Sequence, residues 1–155
     1  MLVIKDPNWR IIIQNARSLK ILDMVLARNR IVDDGLNWFV GFAGYPYLGG
    51  TGWTPNYIAT GTSGNTVTAA DHALGTEVFR KAITRRIAFD KRMMWQLSIN
   101  TSEANGNTLR EAGLFLLYSG GTMIARVVHQ PIVKDVTVNL IYQCDMYYKY
   151  EAYYP

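Results

Sequence analysis

Residues 136–150 give the clearest pattern in this 155-residue chain, an alternation with a period of two. Val136, Val138, Leu140, Tyr142, Cys144, Met146, Tyr148 and Tyr150 share one parity. Thr137, Asn139, Gln143, Asp145 and Lys149 share the other, with Ile141 and Tyr147 as apolar exceptions. Successive side chains of a strand point to opposite faces, so this pattern predicts a strand with one face in a core. β-Branched and aromatic residues, which fit a pleated half-buried surface, dominate it. Such a strand exceeds the common length of about five or six residues and can run past its own sheet.

The same period recurs upstream. Trp9–Gln14 carries Ile11-Ile12-Ile13, and Leu19–Arg28 sets Leu22, Met24 and Leu26 against Asp23 and Ala27. The short gap between them, with Asn15 and Ser18, predicts a hairpin. Tyr57–Thr60 reads as a short strand, and Met93–Asn100 alternates Trp95, Leu97 and Ile99 against Gln96, Ser98 and Asn100. Leu109–Tyr118 and Met123–Val128, separated by Ser119-Gly120-Gly121, predict another hairpin, and EANGNT before them is a turn. One stretch departs: from Asp33, apolar residues at Leu36, Phe39, Val40 and Ala43 follow helical spacing, with Asp33 or Asp34 placed to cap the first turn. The helix is expected to end near Gly44, and a second helical turn is expected over Ala69–Leu74. These elements predict a mainly β chain. The expected form is an antiparallel β-sandwich or barrel-like domain with one short helix packed against it. The division expected is a single domain over 1–155, with an extended N-terminal arm over 1–9 and a C-terminal strand and tail over 136–155.

Composition bounds what such a fold does. Hydrophobic residues make up 49% and charged residues only 18%, below the roughly 25% usual for soluble domains, so part of the surface is expected to face other protein. A net charge of +4 permits nucleic-acid contact without requiring it. The single cysteine, Cys144, excludes an internal disulfide and a multi-cysteine zinc site. MLVIKDPNWR lacks a basic region followed by a long apolar stretch. No apolar run approaches the ~20 residues of a membrane-spanning helix. The expectation is a protein made in the cytoplasm, without a membrane.

No catalytic constellation stands out. His72 and His129 have no second histidine or cysteine at metal-ligand spacing. The Gly61–Thr66 stretch GTSGNT lacks the lysine and following helix of a phosphate loop and reads as a β-turn. Asn100-Thr101-Ser102 matches a glycosylation acceptor only formally. Cys144 has no neighbouring base to activate it. Arg80, Lys81, Arg85, Arg86, Lys91 and Arg92 form the one charge cluster, interleaved with Phe79, Ile83, Ile87 and Phe89. It could follow a nucleic-acid backbone, but solvated outer faces of two strands, or a charged protein interface, are the preferred reading. Trp38, Trp53 and Tyr47 offer a further alternative, a sugar-binding surface. The expectation is a non-enzymatic chain with no cofactor, metal or small-molecule substrate.

Three phrases, in order, resemble a family of small tailed-bacteriophage virion proteins and the N-terminal attachment regions of phage tail-fibre and baseplate proteins. They are RNRIVDDGLNWFVGF, YIATGTSGNTVTAADHALGTEVFRK and NGNTLREAGLFLLYSGGTMIARVVHQPIVK, spanning about residues 28 to 134. The resemblance implies a particle component located in the virion, with copies of itself and other virion proteins as partners. It implies a tail, baseplate or fibre-attachment adaptor, with a capsid decoration protein as the alternative. The chain ends at Pro155 without a repetitive shaft or receptor-binding tip, which favours the adaptor or decoration role.

Two groups of residues stand out within that reading. Glu77, Arg80, Glu111 and Arg126 sit among apolar neighbours, and buried charges persist only when paired. The acids are expected to pair with Arg80 or Arg126 across adjacent strands, fixing register. Gly61, Gly113 and Gly121 are expected at turns or bulges that need positive φ. Tyr142, Tyr147, Tyr148, Tyr150, Tyr153 and Tyr154, with Trp9 from the N-terminal arm, are expected to form an assembly interface, since tyrosine gives large contact area at little entropic cost.

Overall fold

A computed structural model describes residues 2–28, 30–44 and 54–150. Its elements, in order, are β1 (Leu2–Asn15), β2 (Ile21–Arg28), β3 (Arg30–Ile31), α1 (Asp33–Gly44), β4 (Tyr57–Gly61) and β5 (Glu77–Ala82). They continue with β6 (Arg85–Phe89), β7 (Arg92–Ile99), β8 (Asn107–Phe115), β9 (Met123–Lys134) and β10 (Val138–Tyr150). Two five-stranded antiparallel sheets result: sheet 1 runs β2-β1-β10-β7-β6, and sheet 2 runs β3-β9-β8-β4-β5. This is the mainly β, sandwich-like architecture, with one short helix, that the alternating pattern predicts.

Local chemistry sets the turns. Between β1 and β2, the Asn15 side-chain oxygen accepts from the Arg17 and Ser18 amides and the Ser18 hydroxyl, an Asx turn that closes the hairpin. Leu19 there takes φ 56. Gly120 and Gly121, at φ 58 and 75, turn β8 into β9, where a side chain would be strained. Gly61 and Gly113 differ from expectation, because neither has positive φ. A Cβ on Gly61 would lie 2.5 Å from Glu111 Oε1, and one on Gly113 would lie 2.8 Å from the Phe115 ring. Close approach, not backbone angle, is what requires glycine at both.

The sheets share one core. Trp9 and Ile11 of β1, Trp95, Leu97 and Ile99 of β7, and Leu140, Tyr142, Cys144 and Met146 of β10 face Ile58, Leu109, Leu114, Val127 and Ile132 of sheet 2. The parity read in 138–146 is thus the core-facing parity. A second, smaller cluster lies on the other side of sheet 2: Val32, Ala59, Leu74, Phe115 and Met123. Sheet 2 therefore buries both faces and sheet 1 mainly one.

Three expectations need correction here. The N-terminal residues form no separate arm: β1 pairs with β10 from Leu2↔Tyr150 to Asn15↔Val138, so the two terminal strands satisfy each other's backbone within one chain. Residues 69–74 hold a turn at 69–70 and otherwise irregular backbone rather than a helix, because Asp71 is drawn onto Arg126 and the Ala69 carbonyl accepts from the Asp33 amide. Helix α1 has the expected bounds but a different inward face. Gly35 lies against the backbone of Ile124 and Trp38 packs on the core, while Leu36 and Val40 are 45% and 69% exposed. A close helix–strand approach selected the smallest residue, not the most apolar pair. Asp34, one of the two candidate caps, meets His72 at 2.7 Å.

Candidate assembly surface and buried charge network

The outer side of sheet 2 is covered by the 62–76 segment, and a charge network fastens that roof. Glu111 on β8 and Arg126 on β9 are 0% and 3% exposed. Arg126 donates from Nε and Nη2 to Glu111 Oε2 at 3.0 and 2.8 Å, and from Nη1 to Asp71 Oδ2 at 2.7 Å. Glu111 also accepts from the backbone amides of Ser63, Gly75 and Thr76 at 3.3, 3.0 and 2.8 Å. Two strands and both ends of the roof segment therefore converge on one carboxylate. Burial acts to raise the Asp71 carboxyl, but bonds from Thr68 and the Arg126 guanidinium outweigh it and hold it below its ordinary value. Burial likewise opposes the Arg126 charge, and Asp71 and Glu111 more than offset it. The glycine-rich 61–66 stretch is consequently no phosphate cradle, since the Ser63 amide is already turned onto Glu111.

Glu77 and Arg80 pair as well, but along β5 rather than across strands. Arg80 Nε and Nη2 reach Glu77 at 2.8 and 2.7 Å. Its Nη1 donates to the Leu117 and Gly120 carbonyls at 2.8 and 3.0 Å, and the guanidinium lies 3.7 Å from the Phe115 ring centroid. This arginine clamps the β8–β9 turn onto β5, with a cation–π contribution.

The basic cluster is dispersed in the fold. Arg80 and Lys81 belong to sheet 2, whereas Arg85, Arg86 and Arg92 belong to sheet 1. Lys81 meets Glu103 at 2.8 Å and the Ser98 carbonyl at 3.2 Å. Arg86 reaches the Pro55 carbonyl and Asn56, and Arg92 meets Asp145 at 2.7 Å. Arg85 and Lys91 remain exposed. A continuous phosphate-tracking stripe does not form.

Structure divides the aromatic set. Trp9 and Tyr142, expected at the assembly interface, are both 0% exposed and meet edge-to-face at 6.4 Å in the core. They are corrected to core residues, because their parity points at sheet 2. The Tyr142 hydroxyl lies 3.3 Å from His129 Nε2, while His129 Nδ1 lies 2.7 Å from the Gln130 carbonyl. A carbonyl only accepts, so Nδ1 carries the proton and Nε2 accepts from the tyrosine. Burial pushes His129 below the ordinary histidine value. Tyr147 is 39% exposed. Tyr148 and Tyr150 are placed by backbone only, opposite Ile4 and Leu2. Tyr153, Tyr154, Tyr47 and Trp53 lie outside the described residues. Trp38 is half-buried against the core, and the buried Cys144 thiol is pushed well up by burial.

The exposed apolar surface lies where sequence reading did not place it. On β2, Leu22, Met24 and Leu26 are 57%, 49% and 69% exposed. Val25 and Ala27 face the core instead. Met24 pairs with Ile12 of β1, which pairs with Ile141 of β10, so an apolar rung continues inward across the sheet. β2 is also the terminal strand of sheet 1, and its backbone borders a groove of about 430 Å³ shared with Val128, His129 and Gln130 of β9. The alternation of Leu22, Met24 and Leu26 was visible in sequence; which parity faces water was not. Asp71, Lys81–Glu103 and the wholly buried Lys134, which donates to Asn105 Oδ1 at 2.8 Å, had no periodic signal at all.

Among the described residues, no helix is long and apolar enough to cross a membrane. No family model, curated protein or solved structure matches this chain.

Proposed function

We propose that this chain is a non-enzymatic structural component of a tailed-phage virion, acting as a tail, baseplate or fibre-attachment adaptor through protein–protein assembly. The observation that carries the reading is β2: an edge strand of eight residues with Leu22, Met24 and Leu26 turned to water. Edge strands present a template for pairing, and monomeric proteins usually blunt them with charge, proline or a cover. This one carries Asp23 and Arg28 as its only charges and presents Leu22, Met24 and Leu26 on its exposed face.

A second feature supports it. The three phrases that resemble phage virion proteins fall on β3 and α1, on β4, the 62–76 segment and β5, and on β8 and β9. Apart from Arg28, all belong to sheet 2, its roof or the helix beside β9. The resemblance thus follows the charge-stapled half of the fold, and the open edge belongs to the other half. A rigid framework with a separate docking edge is what an adaptor needs.

Quantitative mass spectrometry of purified particles tests the reading. A few to a few tens of copies per particle is the outcome expected for a tail or baseplate component. Hundreds of copies would make it a decoration protein, and absence from particles would overturn the virion reading altogether.

A further inference from the structure

We infer that β2 pairs with β2 of a second copy, antiparallel about a two-fold axis at Val25, joining the two copies' five-stranded sheets into one. This rests on the assembly reading above and names the surface and the partner. The β6 edge is less suited: it is five residues long and brings two arginines from each copy, Arg85 and Arg86, with no acid on the strand to offset them. β2 carries one acid, Asp23, and one base at its end, Arg28.

Charge and geometry select the register. A two-fold normal to the sheet keeps both cores on the same side, so core-facing residues must oppose core-facing residues. That permits axes on a residue, not between residues. With the axis at Asp23, the two carboxylates face each other, which destabilises a pair. With the axis at Met24, Leu22 falls inside the paired stretch opposite Leu26. Leu22 is the extra residue of a bulge, since Ile13 pairs with Asp23 while Gln14 pairs with Ile21, and a bulge interrupts a ladder. With the axis at Leu26, pairing would run into residues beyond Arg28, where the chain leaves sheet 1 for sheet 2 at β3.

The Val25 axis avoids all three problems. Asp23 then opposes Ala27 of the partner copy, Val25 opposes itself towards the core, and Met24 opposes Leu26 twice on the outer face. The paired stretch then runs from Asp23 to Ala27 and stops short of the bulge at Leu22. Met24 and Leu26, both exposed in the single subunit, thus cover one another, extending the Ile12–Ile141 rung across the axis.

Single-cysteine pairing reads the register directly. Under mild oxidation, Val25→Cys is expected to form a covalent dimer, because opposed strand residues meet the Cα separation of a disulfide. Met24→Cys, which opposes Leu26, is expected to remain unlinked. The native Cys144 is buried and does not compete. Leu26→Lys, at a site already exposed, is expected to fold and to weaken association by roughly a hundredfold or more, since it places a lysine at the seam twice. Cross-linking through Met24 but not Val25 would overturn the register. An oligomer that neither links through Val25 nor responds to Leu26→Lys would overturn the β2 interface and leave the assembly reading to other surfaces. A wild-type chain that stays monomeric in light scattering at all concentrations would overturn the second-copy proposal, and the particle measurement would then decide the assembly reading alone.

Discussion

The two outer faces of this sandwich solve opposite problems. Sheet 2's outer face is finished within the chain: Glu111 and Arg126 are buried there, Asp71 and three backbone amides complete their bonds, and Leu74 and Val32 seal the apolar remainder. Sheet 1's outer face holds its charge in the middle, where Arg92 and Gln143 bond Asp145, and leaves Leu22, Met24 and Leu26 open at the β2 end. Buried charge contributes little net stability but strongly penalises any arrangement that unpairs it, so the network acts on uniqueness of the roof. Exposed apolar surface does the reverse: it leaves the fold nearly indifferent and makes association favourable. One face specifies the subunit, and the other is suited to specifying its neighbour.

The largest effect expected is from Glu111→Ala. It leaves Arg126 with Asp71 and a long bond to the Asn65 carbonyl and strands the Ser63, Gly75 and Thr76 amides, for an expected loss of about 3–5 kcal/mol. Denaturant unfolding measures it, and a change within about 0.5 kcal/mol would show that the network does not hold the roof. Gly61→Ala comes next, at about 1–3 kcal/mol, because the new methyl collides with the Glu111 carboxylate. Valine-sized tolerance at that position in an unfolding assay would contradict the close approach.

Acid should loosen the roofed half further. Asp71 has a lowered folded-state pKa, so its stabilisation is complete above the unfolded carboxyl value and is lost as pH falls through the folded one. His129 also has a lowered folded value. The unfolded chain then takes up a proton first, and stability declines as pH drops below the ordinary histidine range. Thermal melts across acidic pH should show a smaller decline in Asp71→Asn than in the wild type.

His72 has the opposite sign and a smaller effect. Asp34 raises its pKa, so its contribution is present below the ordinary histidine value and is lost as pH rises through the raised one. An NMR titration of His72 should move down on Asp34→Asn, and no movement would mean the pair is not formed in solution. The smallest effect on the fold is expected for Leu26→Lys, within about 0.5 kcal/mol of wild type. A large destabilisation there would erase the distinction between the two faces.

Much of the fold was legible because strands announce themselves by parity. The β10 pattern placed Leu140, Tyr142, Cys144 and Met146 in the core, and Asn15 with Ser18 marked the first hairpin. The pairing of Glu111 with Arg126 could be anticipated from charge in apolar surroundings, but not the arrival of Asp71, which is 55 residues away from Arg126 along the chain. Trp9 and Tyr142 show the limit from the other side. Aromatic character fits an interface and a core equally well, and only the position of sheet 2 decided between them.

By itself, then, the sequence determined the strand periods, the turn chemistry and the presence of charges that had to find partners, since each depends on neighbours a few residues apart. Tertiary structure alone decided which sheet each strand joined, which face of β2 met water, and which loop came to rest on Glu111. Those outcomes depend on contacts between distant segments, and a period of two is the same whichever face is turned inward.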